Sequence, residues 1–196
     1  MIAFTYGPGQ TPIDPDERAG LIPTHLQTMD ELNAWEQMNI AQAYRWARRT
    51  APKREVLDEG FIRELHGKML DETWTWAGTF RRSDKNIGVP WEQVATQLNQ
   101  LLENAKWRRD NANPDPDTFA VQFHFDLVCV HAFPNGNGRH SRLMADLVAM
   151  SMGQKVFSWG AGAPLFGQTE ARKRYLDAIY AASKAQSTAL LEFARS

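Results

Sequence analysis

The stretch His131-Ala-Phe-Pro-Asn-Gly-Asn-Gly-Arg-His-Ser-Arg142 decides how this sequence is interpreted. Apolar residues recur at helical spacing before it, over residues 119–130, and after it, from Leu143 to Met150. Two glycines separate the two patterns and interrupt the helical periodicity. Residues 119–153 are therefore predicted to form a helix–loop–helix, with a histidine ending the first helix and an arginine in the first turn of the second.

The residue types in this loop suit the binding of phosphate. Gly136 and Gly138 permit positive φ angles and a close approach of a ligand to the backbone. Successive amides at a helix N-terminus attract anions. Arg139 and Arg142 are three residues apart, so both lie near one face of the first turn and can fork onto phosphate oxygens. His131 is the side chain best able to accept a proton near neutral pH. The spacing predicts a base beside a phosphate site.

Each of these features also occurs without a ligand. A histidine at a helix end is often a cap, a Gly-Asn-Gly loop is often a tight turn, and arginines in a first turn are usually solvated. Cations are unfavourable at a helix N-terminus unless an anion lies between them, which favours the phosphate interpretation. The loop has no Gly-Lys-Ser/Thr of a Walker A motif and does not follow a strand as a dinucleotide fingerprint does.

Helical spacing also covers most of the remaining chain. Thr28 and Glu31 form a possible capping box at the start of a helix over residues 28–50. Further helices are predicted near residues 58–71, 91–107 and 169–182, with a short one ending at Phe193. Residues 1–27, rich in proline and glycine, are expected to be an irregular arm, and residues 159–164 a glycine-rich loop. Residues 28–196 are predicted to be one domain.

Residues 76–91 differ from the rest. Residues 79–82 and 87–89 flank a polar turn, which predicts a short β-hairpin next to the candidate site. Pro90 limits its return strand to an edge position. The predicted fold class is mainly α, with one hairpin.

Composition excludes several classes of protein. Lys+Arg 22 against Asp+Glu 23 gives a net charge of -1 over 196 residues, so no bulk field attracts nucleic acid or an anionic membrane. The single cysteine cannot build a disulfide framework or a Cys-rich zinc site. No apolar run approaches the length of a membrane span. We expect a cytoplasmic protein without nucleic-acid or membrane partners, and the oligomeric state stays open.

Residues 131–142 resemble the Fic motif, H-x-F-x-D/E-G-N-G-R-x-x-R. Residues 65–81, from Leu-His to Phe-Arg, resemble the helix and flap of Fic domains, and residues 174–178 resemble their C-terminal helix. Residues 84–91, Asp-Lys-Asn-Ile-Gly-Val-Pro-Trp, are similar to the group within the family called mobile mystery protein B. The resemblance extends from about Thr11 over nearly the whole chain and implies a Fic-like helical bundle.

The resemblance implies a protein adenylyltransferase that transfers AMP from ATP to a hydroxyl side chain of an unidentified target protein, with Mg²⁺ or Mn²⁺. It makes His131 the general base and Phe133 the buried anchor of the loop. The nucleotide- and phosphate-binding residues that it implies are Asn135, Gly136, Asn137, Gly138, Arg139 and Arg142. The flap residues that it implies for docking the target are Thr79, Phe80, Arg81, Lys85, Asn86, Ile87 and Gly88.

Two positions depart from the family pattern. Asn135 stands where the family has an acidic metal ligand, and an amide oxygen brings no charge to Mg²⁺. Glu36 lies on the N-terminal helix, in the place of the glutamate of a self-inhibitory motif that the sequence matches only in part. We expect Glu36 either to pair with Arg142 and restrain activity or to be a solvated helix residue.

Other interpretations stay open from sequence. The chain is alternatively a catalytically weak nucleotide-binding regulatory or interaction module, or a transferase of another phosphate-containing group. His66 and His124 lie on apolar helices and are expected to pack or cap, and Cys129 is expected to be an inert core thiol. Lys85 is also interpretable as a simple turn residue.

Overall fold

Eight α-helices make up most of the chain that the structure describes. This computed structural model covers residues 12–160 and 169–196. The helices are α1 (Pro15–Arg18), α2 (Met29–Thr50), α3 (Glu59–Leu70), α4 (Val94–Asn111), α5 (Pro116–Val130), α6 (Asn137–Ser151), α7 (Glu170–Ala182) and α8 (Thr188–Arg195). The expectation of a mainly α fold is confirmed.

Helix starts follow local signals in the sequence. The predicted capping box of α2 is present: Thr28 Oγ1 accepts from the Glu31 N–H at 3.2 Å, and Glu31 Oε2 accepts from the Thr28 N–H at 3.0 Å. Helix α5 begins with a proline, which suits the first helical position, and the Asp115 side chain caps it by accepting from the Thr118 N–H. These caps satisfy amides that have no acceptor within the helix.

The two motif-bearing helices lie at the centre of the fold. Helix α5 packs against α6, α4 and α8, and α3 packs against α2, α4 and α6. Three phenylalanine rings of the core, Phe119, Phe123 and Phe133, are buried between these helices. Burying each ring contributes about 2–3 kcal/mol, so the loop between α5 and α6 is held by the core itself. None of the described helices combines the length and apolar character that a bilayer-spanning helix needs.

The predicted hairpin at residues 76–91 is not found, and no strand occurs among the described residues. The segment runs through turns and bends instead. The Ser83 carbonyl, in the predicted turn, and the Val89 carbonyl, in the predicted return strand, both accept from the guanidinium of Arg81. The segment therefore folds around one side chain rather than pairing with itself.

The described part of the N-terminal arm, residues 12–27, packs along the domain. The Ile22 N–H donates to the Thr73 carbonyl and the Thr75 N–H donates to the Gly20 carbonyl, both at 2.9 Å, so two extended segments run antiparallel. Residues 1–11 of the predicted arm and residues 161–164 of the predicted glycine-rich loop lie outside the described residues.

Candidate active site

His131 caps the C-terminus of α5 and is buried. Its φ of +53° puts it in the left-handed region, where its N–H still donates to the Leu127 carbonyl. Its carbonyl oxygen accepts from Nε of Arg81 at 2.6 Å. Burial first, and then the positive charge of Arg81, lower the pKa of the imidazole to about 4. The ring is therefore neutral at pH 7 and able to accept a proton.

The loop after His131 is held closed by the side chain of Asn137. Its Nδ2 donates to the Phe133 carbonyl at 2.7 Å, and its Oδ1 accepts from the Phe133 N–H at 2.9 Å. A phosphate contact of Asn137 would have to come from its backbone N–H, because its amide group is used inside the loop. Gly136 has a φ of +78°, and a Cβ there would lie 2.9 Å from the Leu70 side chain, so the turn requires glycine.

His66 joins the loop to the segment that follows α3. Its Nδ1 accepts from the Gly78 N–H at 3.0 Å, so its Nε2 carries the proton and donates to the Asn135 carbonyl at 2.9 Å. Its ring stacks on Phe133 with centroids 3.8 Å apart. Burial lowers the pKa of His66 well below its usual value, which keeps this single tautomer at neutral pH. The sequence predicted a packed histidine here but not its link to the motif.

The first turn of α6 has the features expected of an anion site. The N-cap residue of α6 is Gly136, which has no side chain to accept from the first amides of the helix. Arg139 is partly exposed, with 28% of its side chain accessible. The Arg142 guanidinium carbon lies 5.0 Å from the centroid of the Tyr175 ring, and burial lowers the pKa of this arginine. Both arginines thus lie near the start of α6, directly after the motif loop.

Glu36 is buried and pairs with the first motif arginine. Its Oε2 lies 2.5 Å from Nη1 of Arg139, and its Oε1 accepts from Nε1 of Trp74 at 2.7 Å. The prediction that Glu36 pairs with Arg142 was therefore wrong. Residues three apart on a helix differ by about 60° in direction, so one guanidinium reaches α2 while the other lies over Tyr175 of α7.

The predicted docking residues divide into an exposed set and a buried pair. Thr79, Asn86, Ile87 and Gly88 are exposed, and Phe80 is half-buried under the guanidinium of Arg63. We name residues 79–89 the docking segment. One of its exposed members, Gly88, lies beside the histidine, because a Cβ on Gly88 would come within 2.6 Å of His131 Cβ.

The other two predicted docking residues, Arg81 and Lys85, point inward, which contradicts a direct docking role. The side chain of Arg81 is fully buried. Lys85 Nζ lies 2.7 Å from an Asp14 carboxylate oxygen and 2.8 Å from both carboxylate oxygens of Glu17, with 2% of its side chain exposed. Both positive charges are drawn inward by oxygen acceptors that the sequence pattern did not reveal.

The residues of the loop do not fit a protein-built Mg²⁺ site. Asn135 Oδ1, the oxygen at the family's metal-ligand position, accepts from the Gly136 N–H at 2.5 Å. The described residues contain no group of three or more His, Cys, Asp or Glu side chains placed to hold a metal ion. Mg²⁺ prefers carboxylates together with substrate phosphates, and the loop offers neither charge nor a free side-chain oxygen.

Other parts of the site were missed or misjudged from sequence. Tyr175 contacts both Arg142 and His124, whose Nε2 lies 3.2 Å from the Tyr175 hydroxyl. Burial, and then the charge of Arg142, lower the pKa of Arg172 in the first turn of α7, so a third guanidinium lies near the motif. Cys129 is exposed, so the expectation of a core thiol was wrong.

The sequence matches the model of the Fic/DOC family over residues 56–149. It is 34% identical over 97 residues to "Protein adenylyltransferase fic-1" of Caenorhabditis briggsae, a match that covers 47% of this chain and 19% of that protein. The chain thus spans about a fifth of the length of this curated relative.

Solved structures of Fic domains share the fold. BepC of Bartonella tribocorum, with bound AMPPNP, superposes with a TM-score of 0.71 and 15% identity, covering 93% of this chain and 97% of that one. The N-terminal FIC domain of Bep8 from Bartonella sp. 1-1C gives a TM-score of 0.70 and 14% identity, covering 89% of each chain. At these identities the likeness establishes the fold.

Proposed function

The chain belongs to the Fic/DOC family, and from this premise we propose that it is a protein adenylyltransferase, which moves AMP from ATP to a hydroxyl side chain of a target protein. The observation that carries the proposal is the neutral imidazole of His131 at the end of α5, next to the open N-terminus of α6 and its two arginines. The curated relative named protein adenylyltransferase supports the choice of reaction.

The proposed reaction needs a base and a phosphate site. The target hydroxyl oxygen forms a bond to the α-phosphorus of ATP, the bond to the bridging oxygen breaks, and pyrophosphate leaves. The hydroxyl proton passes to His131. A free-protein pKa of about 4 keeps the imidazole ready to accept it, and bound phosphates raise that pKa by favouring the charged ring.

The phosphates are held by the start of α6 in this proposal. Its first amides donate to the α-phosphate, and Arg139 and Arg142 supply positive charge to the outer phosphates. Such transfer depends on positioning and charge stabilisation more than on covalent chemistry by the protein. The AMPPNP bound to BepC supports a nucleotide at this fold's site. Because the loop does not fit a protein-built metal site, we expect any Mg²⁺ or Mn²⁺ to arrive on the ATP phosphates.

The target is proposed to dock on the exposed part of the docking segment. Asn86, Ile87 and Gly88 are exposed, and Gly88 lies against His131. Their backbone amides and carbonyls are free of the strand pairing that a hairpin would impose, so an extended target segment can pair with them. Arg81 and Lys85 take no direct part, because both are buried.

Glu36 is proposed to restrain the resting protein. It neutralises Arg139, so the outer phosphates of ATP must compete with a buried carboxylate for that guanidinium. In this proposal Glu36 restrains activity as expected from the sequence, but through Arg139 and not through Arg142. A helix residue that merely faced solvent would be exposed, whereas Glu36 is buried.

The proposal is tested with ATP labelled at the α- or the γ-phosphate. Label from the α-position on protein, lost in His131→Ala, is the expected result. Tight ATP binding without labelled product would instead indicate the nucleotide-binding module. Transfer from the γ-position, or transfer only with another nucleotide donor, would indicate a transferase of a different phosphate-containing group. The Glu36→Gly variant serves as the second background, so that self-inhibition does not hide the activity.

A further inference from the structure

Arg81 is a buried charge held mainly by neutral groups. Its Nε donates to the His131 carbonyl, its Nη1 donates to the Ser83 carbonyl at 2.9 Å, and its Nη2 donates to the Val89 carbonyl. Its acidic neighbour, Asp84, is 3.7 Å away and largely exposed. Burying a cation against carbonyl dipoles is costly, and burial lowers the pKa of this guanidinium.

These contacts join the two ends of the docking segment to the backbone of the base. The Arg81 N–H donates to the Ala132 carbonyl at 3.0 Å, one residue beyond the His131 carbonyl that its Nε binds. At the other end, Gly88 has a φ of +109°, and a Cβ there would clash with both His131 Cβ and Arg81 Nη2. The segment thus meets His131 from two sides, with Arg81 between them.

We propose that Arg81 is a positioning residue that couples the docking segment to His131, so that a target seated on the segment is presented to the base in one fixed geometry. This inference rests on the proposed function. Arg81 itself touches neither target nor nucleotide in this account. It acts through the His131 carbonyl, which it holds while His131 stays in the left-handed conformation that ends α5.

The charge of Arg81 adds an electrostatic effect to the mechanical one. Two cations of the docking segment, Arg81 and Lys85, lower the pKa of His131, after burial itself. Lys85 is neutralised by Asp14 and Glu17, whereas Arg81 is held by carbonyls. Replacing Arg81 with a neutral residue should therefore raise the pKa of His131, while a lysine keeps the charge and loses the fork of donors.

The experiment compares Arg81→Gln and Arg81→Lys with Arg82→Gln, a neighbouring exposed arginine as control. The His131 ring nitrogens are titrated by NMR in the free protein, and AMP transfer is measured at saturating ATP. In Arg81→Gln we expect the pKa of His131 to rise measurably above the parent's value of about 4 but to stay below the ordinary value for histidine, because burial, the larger cause, remains. We expect both variants to lose transfer rate at least about tenfold while ATP affinity stays near that of the parent.

Two results would overturn the inference. One is an unchanged His131 titration together with an unchanged rate in Arg81→Gln. The other is a loss of ATP affinity equal to the loss of rate, which would mean general disruption of the fold. If Arg81→Gln does not fold, Arg81→Lys decides by the rate and affinity alone. If the parent transfers no AMP, the proposed function fails, and the His131 titration still decides whether Arg81 acts on the base.

Discussion

Oε2 of Glu36 in α2 lies 2.5 Å from Nη1 of Arg139 in α6, although 103 residues separate them. The pair ties the N-terminal helix to the first turn after the motif loop. Since Trp74 donates to the other oxygen of the carboxylate, Glu36 has a buried, directed geometry that few surface glutamates have. An anion that binds Arg139 has to compete with it.

Removing the Glu36 carboxylate should release Arg139 for phosphate. We expect Glu36→Gly to raise ATP affinity about tenfold and to increase automodification, because a charge-assisted pair no longer competes. Glu36→Gln should act in the same direction while it keeps an oxygen for Trp74. Calorimetric titration with ATP measures the change.

The control for helix weakening is Gln37→Gly, at the exposed neighbouring position of α2. A glycine in a helix interior costs about 1 kcal/mol of stability at either position. Equal gains in ATP affinity from Gln37→Gly and Glu36→Gly would show that loosening α2, and not the release of Arg139, is responsible.

A carboxylate at position 135 should create the metal ligand that the loop lacks. We expect Asn135→Asp to lower the Mg²⁺ concentration needed for half-maximal ATP binding by about tenfold, because a charged oxygen binds Mg²⁺ better than an amide does. Asn113→Asp, in an exposed turn, controls for the added charge. An unchanged Mg²⁺ requirement in Asn135→Asp would show that position 135 does not limit metal binding.

The buried histidines should make the fold sensitive to acid. Burial lowers the pKa to about 3 for His124 and to about 4 for His131 and His140. The unfolded chain binds these protons below its pKa of about 6.5, so stability is full above that pH and falls as the pH drops toward 4. Each histidine contributes on the order of 3 kcal/mol to the loss. Burial raises the pKa of Asp146 to about 6, so the folded protein binds this proton at a higher pH than the unfolded chain does. As the pH falls, Asp146 therefore stabilises the fold and offsets the loss from about one histidine.

Urea unfolding between pH 8 and pH 4 measures this loss. His140→Gln keeps a donor for the Ile62 carbonyl and removes one titrating ring, so its stability should fall less steeply with pH. Parallel curves for His140→Gln and the parent would contradict the assignment.

The Lys85 cluster should hold the N-terminal arm onto the docking segment. Lys85→Met leaves Asp14 and Glu17 without their cation and should cost on the order of 2 kcal/mol of unfolding free energy, with faster proteolysis of residues 12–27. Lys68→Met removes a half-exposed lysine 3.9 Å from Asp71 and should cost under about 0.5 kcal/mol. Equal losses of unfolding free energy in the two variants would indicate that the buried Lys85 cluster stabilises the fold no more than a surface ion pair does.

The helices and the motif loop were predictable because their signals are local. The capping box of Thr28 and the glycines of the loop act within a few residues, and each predicted helix was found close to its predicted bounds. Helix α1, inside the arm that was expected to be irregular, was not predicted. Phe133 was correctly expected to be a buried anchor. The finer resemblance to the mobile mystery protein B group stays a prediction.

The errors concern long-range pairing. A hairpin was predicted at residues 76–91, but the Ser83 and Val89 carbonyls accept from the guanidinium of Arg81, and no local pattern shows that a charged side chain will turn inward. Lys85 pairs with acidic residues about 70 positions earlier in the chain. Whether Arg139 or Arg142 reaches Glu36 depends on how α6 is rotated about its axis. Such partners become visible only when the elements are assembled.

The most direct test of the central claim is the intact mass of the Glu36→Gly protein after incubation with ATP and Mg²⁺ or Mn²⁺, beside the Glu36→Gly/His131→Ala double variant. The account predicts a gain of one or more AMP units in the first protein and none in the second, with ATP bound by both. An equal gain in both proteins would contradict the role of His131 as the base. ATP binding without any gain, with a target-containing lysate also unmodified, would contradict the assignment as an adenylyltransferase.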